Sequence, residues 1–345
     1  METLVHYRVL VPDLHRKTGG PGAFFQSLKP ALDRLGVELC GGLGWQADAA
    51  LVSPFCRMEM LWWLQAREMP IIQRLDGIHY SRTRRFNEHM RRVYQVADVL
   101  VFQSDFSRRI CQAHFGHRPV PEHVIKNGTD LSLFYPSETA ADISQLRLVA
   151  SAFWRPQKRL KDCVEVFVAL RREVPSATLH ILGDISQVPA EVREIPGVHY
   201  VGHRSRHEVA QVLRESHIFL HLSWFDPCPN AVVEALACGL PVLYTKNGGT
   251  RELVPENCGV ELVSEPDFRL NEADIYNYAN IPRVDIREAV QGIRALMERF
   301  SAYRQRVIAG RRSFGIETAA QQYYQMLSGC GGVRRPRAPM AQQGG

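Results

Sequence analysis

The stretch HIFLHLSWFDPCPNAVVEALACGLPVLYT, residues 217–245, contains a complete strand–helix–strand pattern. The runs HIFLHLS and PVLYT are typical of buried strands, and the segment between them has helical spacing. Pro229 fits the first position of a helix, and Gly239 followed by Pro241 ends it. This pattern predicts a helix from about Pro229 to Cys238 that connects two parallel strands.

The same alternation of short apolar strands and helical patterns extends in both directions from this unit. One series occupies the first third of the chain, and a second series begins near Leu146. Between them the periodicity lapses in residues 127–145, which have the composition of a linker. Strands separated by helices indicate βαβ units and doubly wound parallel sheets. The sequence therefore predicts an α/β protein whose two halves face a cleft.

Composition excludes several classes of protein. The 345 residues are 45% hydrophobic, which is enough to fill two cores. The eight cysteines form neither a C-x-x-C pair nor a cluster with metal-ligand spacing, so we expect a reducing compartment and no structural zinc. The apolar run at the N-terminus is too short for a signal peptide, which favours a cytoplasmic location. A net charge of +6 does not indicate a nucleic-acid partner.

Two basic segments stand out against this modest charge. In RPQKRLK, Arg155 and Lys158 fall between a predicted strand and the following helix. Two cations at that edge of a sheet can clamp a diphosphate and stabilise charge on a leaving group. Arg159 and Lys161, which continue into the helix, are predicted surface charges. The alternative for the whole segment is a solvated surface.

The other basic segment is HYSRTRRFNEHMRR, residues 79–92, which contains five arginines. We consider contact with an anionic acceptor or with a membrane surface, against the alternative of a solvated helix face. His79 ends a predicted strand at the edge that faces the cleft. A lone histidine is more often structural, but this position favours a functional role.

Asp226 and Glu234 are separated by seven residues and follow the strand HIFLHLS. Ligands of parallel sheets bind at the carboxyl ends of strands, so this position suits a site. The backbone N–H groups near Asn230 and Ala231 begin the predicted helix and suit an anion or polar ligand oxygens. Glu234 lies one turn further along among apolar residues, where a carboxylate needs a partner or a ligand. The alternative is that Asp226 is a helix cap and Glu234 an exposed or salt-bridged residue.

A glycine-rich turn, HRKTGGPGAFFQSL, follows the first predicted strand and enters a helix. It matches neither G-x-G-x-x-G nor a P-loop, which argues against a dinucleotide or ATP fingerprint. Gly19 and Gly20 permit close approach of the backbone to a ligand in the cleft.

Together these segments resemble the family-4 (group 1) glycosyltransferases, which are nucleotide-sugar-dependent enzymes with two Rossmann-like domains in the GT-B architecture. The resemblance spans roughly residues 8–325. It is carried by TGGPGAFFQSL, VIKNGTDLSLFYP, RPQK, HILGD, YVGH and above all FDPCPNAVVEALACGLPVLYTKNGGTRELV.

The resemblance implies four segments with different roles. Residues 1–136 would form an acceptor-side domain, and residues 137–312 a nucleotide-sugar-binding domain. Residues 313–328 would form a helix that crosses back to pack on the first domain. Residues 329–345 are rich in Gly, Pro and basic residues, lack a hydrophobic period and are predicted to be disordered.

The resemblance also implies roles for particular residues in the second domain. Glu234 would hold the ribose hydroxyls, and Asp226 would contact the transferred sugar, where the family's usual residue is a Glu. Lys158 and Arg155 look like the diphosphate-binding pair. Gly202 and His203 lie where relatives contact the base.

Three further implied contacts involve the remaining site residues. Asn230 and Ala231 would offer backbone contacts to the sugar or phosphate. Gly19 and Gly20 resemble the loop beside the phosphates, and His79 matches the first domain's side of the site.

The resemblance implies transfer of a sugar from a nucleoside diphosphate sugar to an acceptor hydroxyl, in the biosynthesis of polysaccharides or other glycoconjugates. We expect retention of configuration, with no metal or cofactor beyond the donor, since no D-x-D pair ends a strand. The acceptor would be a glycan, a lipid-linked molecule or a small molecule, and peripheral contact with the inner membrane face stays open. The alternatives are a non-catalytic nucleotide-sugar-binding protein and, disfavoured by the missing glycine fingerprint, a dehydrogenase.

Overall fold

The computed structural model describes residues 7–12, 14, 19–42, 46–79, 84–138, 142–185, 194–269 and 280–330. The prediction of a disordered tail over residues 329–345 is wrong for Gly329 and Cys330, which end the C-terminal helix Ile316–Cys330. Residues 331–345 lie outside the described range. No helix in these segments is long and apolar enough to cross a lipid bilayer.

The first half of the chain forms a six-stranded parallel sheet in the order β2-β1-β3-β4-β5-β6. Its strands are β1 (Tyr7–Leu10), β2 (Val37–Cys40), β3 (Ala49–Val52), β4 (Ile71–Leu75), β5 (Val99–Phe102) and β6 (Glu122–Val124). Its helices are α1 (Gly19–Asp33), α2 (Met58–Ala66), α3 (Arg85–Val96) and α4 (Asp105–Phe115).

The second half forms another six-stranded parallel sheet, in the order β12-β11-β10-β7-β8-β9. Its strands are β7 (Arg147–Ser151), β8 (Thr178–Leu182), β9 (Val198–Gly202), β10 (Ile218–His221), β11 (Val242–Thr245) and β12 (Gly259–Leu262). The helices that follow β7 are α5 (Leu160–Arg171), α6 (Arg206–Arg214), α7 (Asn230–Ala237), α8 (Thr250–Leu253), α9 (Ile286–Glu298), α10 (Phe300–Ala309) and α11 (Ile316–Cys330). This order reverses between β7 and β10, and such a reversal opens a crevice at the strand ends.

The strand–helix–strand unit of residues 217–245 folds as its sequence predicts. All four residues of β10 and of β11 are buried, because helices cover both faces of the sheet. The predicted helix from Pro229 to Cys238 is observed as α7, with Pro229 just before it and Cys238 just after. Gly239 follows in the left-handed region, at φ +82°, which favours glycine at a helix end.

The C-terminal helix crosses back to the first sheet, as the resemblance implied. Tyr323 of α11 is fully buried, and its ring centroid lies 6.2 Å from that of Phe24 on α1. The helix returns beside the linker of residues 127–145, called the crossing segment below, since the Ile316 N–H donates to the Thr129 carbonyl at 2.8 Å. A Thr129 N–H bond to the Phe314 carbonyl, also 2.8 Å long, completes this junction.

Two short elements are absent from the sequence prediction. The strand β2, with the sequence VELC, pairs along β1 at one edge of the first sheet. The helix α8 has only four residues. Both are too short for a periodic signal to distinguish them from a loop.

Candidate functional site

The candidate site lies where the strand order of the second sheet reverses. The loop after β7 contains a 3-10 turn, Pro156–Lys158, and the loop after β10 contains Asp226. The two loops are joined directly, because the Trp224 N–H donates to the Gln157 carbonyl at 2.8 Å. The fold therefore brings together residues that lie 68 positions apart in the sequence.

Lys158 and Asp226 form an ion pair at this point. Both side chains are mostly buried, with exposed fractions of 18% and 15%. His221, at the end of β10, places Nε2 3.7 Å from Oδ2 of Asp226, too far for a hydrogen bond. Burial lowers the pKa of His221 to about 4, so its ring is neutral near pH 7. Arg155 is exposed, and its guanidinium lies 5.0 Å from the centre of the Phe153 ring.

The end of β4 in the first sheet supplies the opposite wall. Burial raises the pKa of Asp76, and the negative charge of Asp226 raises it further. Burial also lowers the pKa of His79, and the positive charge of Arg155 adds to that effect. Gly77, which lies between these two residues in the sequence, meets Pro227, so the end of β4 lies beside the loop after β10.

His79 is held in place by its neighbours. Its backbone N–H donates to Oδ1 of Asn87 at 2.6 Å, and Nδ2 of Asn87 donates to its carbonyl at 3.1 Å. The imidazole stacks on Phe86, with ring centroids 4.8 Å apart. Residues 80–83, which contain the first arginine of the predicted basic cluster, lie outside the described residues.

Glycines allow the loops of the two sheets to touch. Gly77 has φ +97°, and a Cβ on it would lie 2.8 Å from Cγ of Pro227. A Cβ on Gly249 would lie 1.7 Å from the Pro227 carbonyl oxygen, a distance that no real contact tolerates. The Gly249 N–H donates to the Asp226 carbonyl at 3.0 Å. The double glycine after β11 therefore fixes the backbone on which Asp226 is carried.

Glu234 lies on α7 beside an arginine that sequence reasoning missed. Oε1 of Glu234 accepts from Nη2 of Arg206 at 3.3 Å. Burial raises the pKa of Glu234 to about 7, against the opposing charge of Arg206. The sequence does contain a feature that points to Arg206. Arg206 follows Ser205, which forms a capping box with Glu208, so Arg206 occupies the first turn of α6. A cation is unfavourable at that position without an anionic partner.

Asn230 belongs to a polar network that joins the two halves of the chain. Its Oδ1 accepts from Nδ2 of Asn127 at 2.7 Å, and Oδ1 of Asn127 accepts from Nη2 of Arg74 at 2.6 Å. Arg74 is 1% exposed and lies over the Phe24 ring at 4.0 Å. The side chain of Asn230 is therefore engaged, and the backbone contacts predicted for Asn230 and Ala231 stay predictions.

The remaining predicted residues lie at the margins of this group. Gly19 and Gly20 begin α1 after β1, next to the point where the first sheet reverses its order. Gly202 ends β9 with φ +78°, and exposed His203 follows it. β9 is an edge strand two positions from β7, so Gly202 and His203 are connected to the site through α6. Their predicted roles stay predictions.

The prediction that Arg159 is a surface charge is wrong. Its side chain is 2% exposed, and Nη1 donates to Oε2 of Glu265 at 2.7 Å. Arg159 adopts a left-handed conformation, φ 53°, where the 3-10 turn meets α5, and its guanidinium lies 5.1 Å from the Trp224 ring. The turn thus directs this side chain beneath the site loop. Lys161, by contrast, is 65% exposed, as predicted.

Part of the chain is similar in sequence to known proteins. Residues 145–273 match the family model described as "Glycosyl transferases group 1". A probable sucrose-phosphate synthase from Thermosipho melanesiensis is 29% identical over 157 residues, which cover 41% of this chain and 36% of that protein. A putative colanic acid biosynthesis glycosyltransferase from Escherichia coli, WcaL, is 26% identical over 192 residues, 51% of this chain and 46% of that protein.

The chain resembles the group 1 glycosyltransferases over residues 145–273. It spans between about a third and a half of the length of these curated relatives. The matched region contains Lys158, Arg206, Asp226 and Glu234, whereas His79 and the glycines of α1 lie outside it.

Solved structures extend the likeness to the first sheet. The sucrose-phosphate synthase of Thermosynechococcus elongatus superposes with a TM-score of 0.70 at 16% identity, covering 95% of this chain and 100% of that chain. Anabaena HepE in complex with UDP gives a TM-score of 0.67 at 18% identity, covering 94% and 100%. At these identities the likeness establishes the fold. The expected GT-B architecture of two Rossmann-like domains is confirmed.

Proposed function

We propose that this chain is a group 1 glycosyltransferase that moves a sugar from a nucleoside diphosphate sugar to an acceptor hydroxyl. The observation that carries the proposal is the Lys158–Asp226 pair, which lies at the reversal of strand order, where Gly77 of the first sheet meets Pro227 of the same loop. Ligands of doubly wound sheets bind at this point. HepE, which shares the fold, has been solved with UDP and with UDP-glucose, so a uridine nucleotide is the first donor to test.

The proposed roles follow the charges of the site. Lys158 and Arg155 would bind the diphosphate, and Glu234 would accept hydrogen bonds from the ribose hydroxyls. Asp226 and His79 would contact the sugar from opposite sides. Since Lys158 is paired with Asp226, an incoming diphosphate would compete for the same ammonium group. The pair is then the resting arrangement, and donor binding frees the carboxylate to accept hydrogen bonds from the sugar.

We propose a retaining, metal-independent transfer. The bond from the anomeric carbon to the diphosphate breaks while the bond to the acceptor oxygen forms on the same face, and the acceptor proton moves to an oxygen of the departing phosphate. Lys158, Arg155 and the positive end of α7 would stabilise the negative charge that develops on the leaving group. No step requires a carboxylate nucleophile, which a double displacement would need.

A two-stage experiment tests the proposal. A thermal-shift screen of UDP-, GDP- and ADP-sugars identifies the donor, because a ligand that binds only the folded state raises the melting temperature. Product analysis then compares the wild type with Lys158→Ala, Asp226→Glu and Glu234→Ala, with exposed Lys161→Ala as the matched control. We expect turnover in the wild type and the control, and its loss in Lys158→Ala and Glu234→Ala. Binding without turnover in the wild type would instead identify a nucleotide-sugar-binding protein.

We further propose that α2 and α3 face an anionic acceptor or membrane surface. On α2, Trp62 is 61% exposed. On α3, Phe86 is 39% exposed, and the neighbouring Arg84, Arg85 and Arg92 are exposed as well. Exposed aromatics beside arginines suit anionic headgroups. Sedimentation with phosphatidylglycerol vesicles, but not with phosphatidylcholine vesicles, would support peripheral contact with an anionic membrane surface. Absence of sedimentation with either would leave only the soluble anionic acceptor.

A further inference from the structure

Arg206 makes a set of contacts that no proposed catalytic role requires. Nη1 donates to Oγ of Ser27 on α1 at 2.7 Å. Nη2 donates to Oγ1 of Thr129 at 3.1 Å and to Oε1 of Glu234 at 3.3 Å. The guanidinium also lies 5.2 Å from the centre of the Phe134 ring. One side chain thus joins an element of the first domain, the crossing segment and the predicted ribose-binding carboxylate.

We propose that Arg206 is a positioning residue that couples the nucleoside subsite at Glu234 to the docking of α1 against the second domain. The inference rests on the proposed function, since it assumes that Glu234 binds the donor ribose. Arg206 itself need not touch the donor. It acts by holding Glu234 in place and by tying that position to Ser27.

The contacts of Arg206 suit the planar, multi-donor group of an arginine. Its planar group presents donors along two edges, so it can serve Ser27 on one side while it serves Thr129 and Glu234 on the other. A lysine at this position would retain the charge but lose the fixed fork. The Arg206→Lys variant therefore shows how much of the effect depends on the geometry of the guanidinium group and how much on the positive charge alone.

The charge of Arg206 also governs the ionisation of Glu234. Burial raises the pKa of that carboxyl to about 7, and Arg206 is the cation that opposes this rise. The other titratable groups coupled to this pair are Cys238, at the end of α7, and Asp130, in the crossing segment. Removal of Arg206 takes away the cation that lowers the pKa of Glu234, so a larger fraction of this carboxyl is protonated at neutral pH. A protonated carboxyl is a poorer acceptor for two hydroxyls.

The first test measures UDP binding by calorimetry between pH 6 and pH 9. We expect Arg206→Ala to weaken binding about tenfold or more at pH 7, since it removes bonds to a charged group, and to recover part of this loss as the pH rises. Arg206→Lys should keep the wild-type pH profile while binding more weakly. The matched control is Arg214→Ala, because Arg214 also lies on α6 and donates to the crossing segment, at the Leu133 carbonyl. Equal losses in Arg206→Ala and Arg214→Ala at every pH would overturn the proposal.

The second test needs no nucleotide. Hydrogen exchange of the α1 amides around Ser27 should become at least about fivefold faster in Arg206→Ala and in Ser27→Ala, and stay unchanged in Arg214→Ala. If exchange in α1 is unchanged in both variants, the coupling is refuted. If the wild type binds no nucleotide at all, the proposed function fails while this exchange result still decides whether Arg206 ties α1 to Glu234. Where Arg206→Ala does not fold, Ser27→Ala and Arg206→Lys carry both tests.

Discussion

The contact between Glu252 and α4 gives the most direct test of how the two domains are held together. Glu252 lies on α8 of the second domain, yet its carboxylate accepts from the N–H groups of Asp105 at 2.6 Å and Phe106 at 2.7 Å. These groups begin α4 of the first domain, where no intrahelical partner exists. Oγ of Ser104 accepts from the next N–H, that of Ser107, at 2.9 Å. Glu252 therefore caps a helix of the opposite domain.

Replacement of Glu252 by Ala removes two charge-assisted hydrogen bonds. Each would contribute about 1.5–3 kcal/mol if the freed groups stayed dry. Water reaches a half-buried helix end once the carboxylate is gone, so the measured cost of losing a cap, about 1–2 kcal/mol, is the better guide. That free energy corresponds to about a 5–30-fold increase in the exchange rate of the Asp105 and Phe106 amides.

Hydrogen exchange resolved at single amides measures this increase. Glu256→Ala is the matched control, because Glu256 is an exposed carboxylate four residues further along the chain. We expect wild-type exchange in the control and weaker donor binding in Glu252→Ala, since the contact lies beside the loops that carry Asp226. Wild-type exchange at both amides in Glu252→Ala would show that this cap does not form in solution, and the reasoning would be wrong.

Three further predictions concern stability. Arg159→Met should lower the free energy of unfolding by about 3–5 kcal/mol, because it leaves the buried carboxylate of Glu265 without its cation. Lys161→Met, the exposed control, should change it by less than about 0.5 kcal/mol. Urea denaturation measures both free energies. Glu234 has a native pKa of about 7 against a usual 4.5, so the wild type binds more protons folded than unfolded and loses stability as the pH rises from 4.5 to 7. Glu234→Gln should lack this loss, which amounts to up to about 3 kcal/mol. If the difference in unfolding free energy between wild type and variant does not change between pH 4.5 and 7, the prediction is wrong. Gly249→Ala should unfold at a lower temperature and bind donor poorly, because its Cβ would overlap the Pro227 carbonyl; wild-type melting would show that the loop adapts.

The fold was predictable from sequence because its signals are local and repeated. The helix α7 is bounded by Pro229 and Gly239, whose backbone preferences hold in any context. The buried strands β10 and β11 read as continuous apolar runs, as parallel strands do. The strand β2 was missed since four residues at a sheet edge carry too little periodicity to distinguish strand from loop.

The site was predictable only where residues follow strand ends. Lys158 and Asp226 could be placed together because the carboxyl ends of parallel strands meet at one edge. Arg206 and Glu252 act across the domain boundary, and pattern reasoning along one chain does not show which helix faces which. Arg159 was misjudged because a single left-handed residue reverses the direction of its side chain.

The two carboxylates that follow β10 are separated by chemistry as well as by sequence. Asp226 is paired with Lys158, a cation of its own domain whose other proposed partner is the diphosphate. Glu234 is paired with Arg206, a cation whose other partners lie on α1 and on the crossing segment. Binding of the donor would therefore rearrange the first pair and depend on the second staying fixed. Two carboxylates with such different partners suit separate binding roles, one at the sugar and one at the ribose, rather than a couple that exchanges protons.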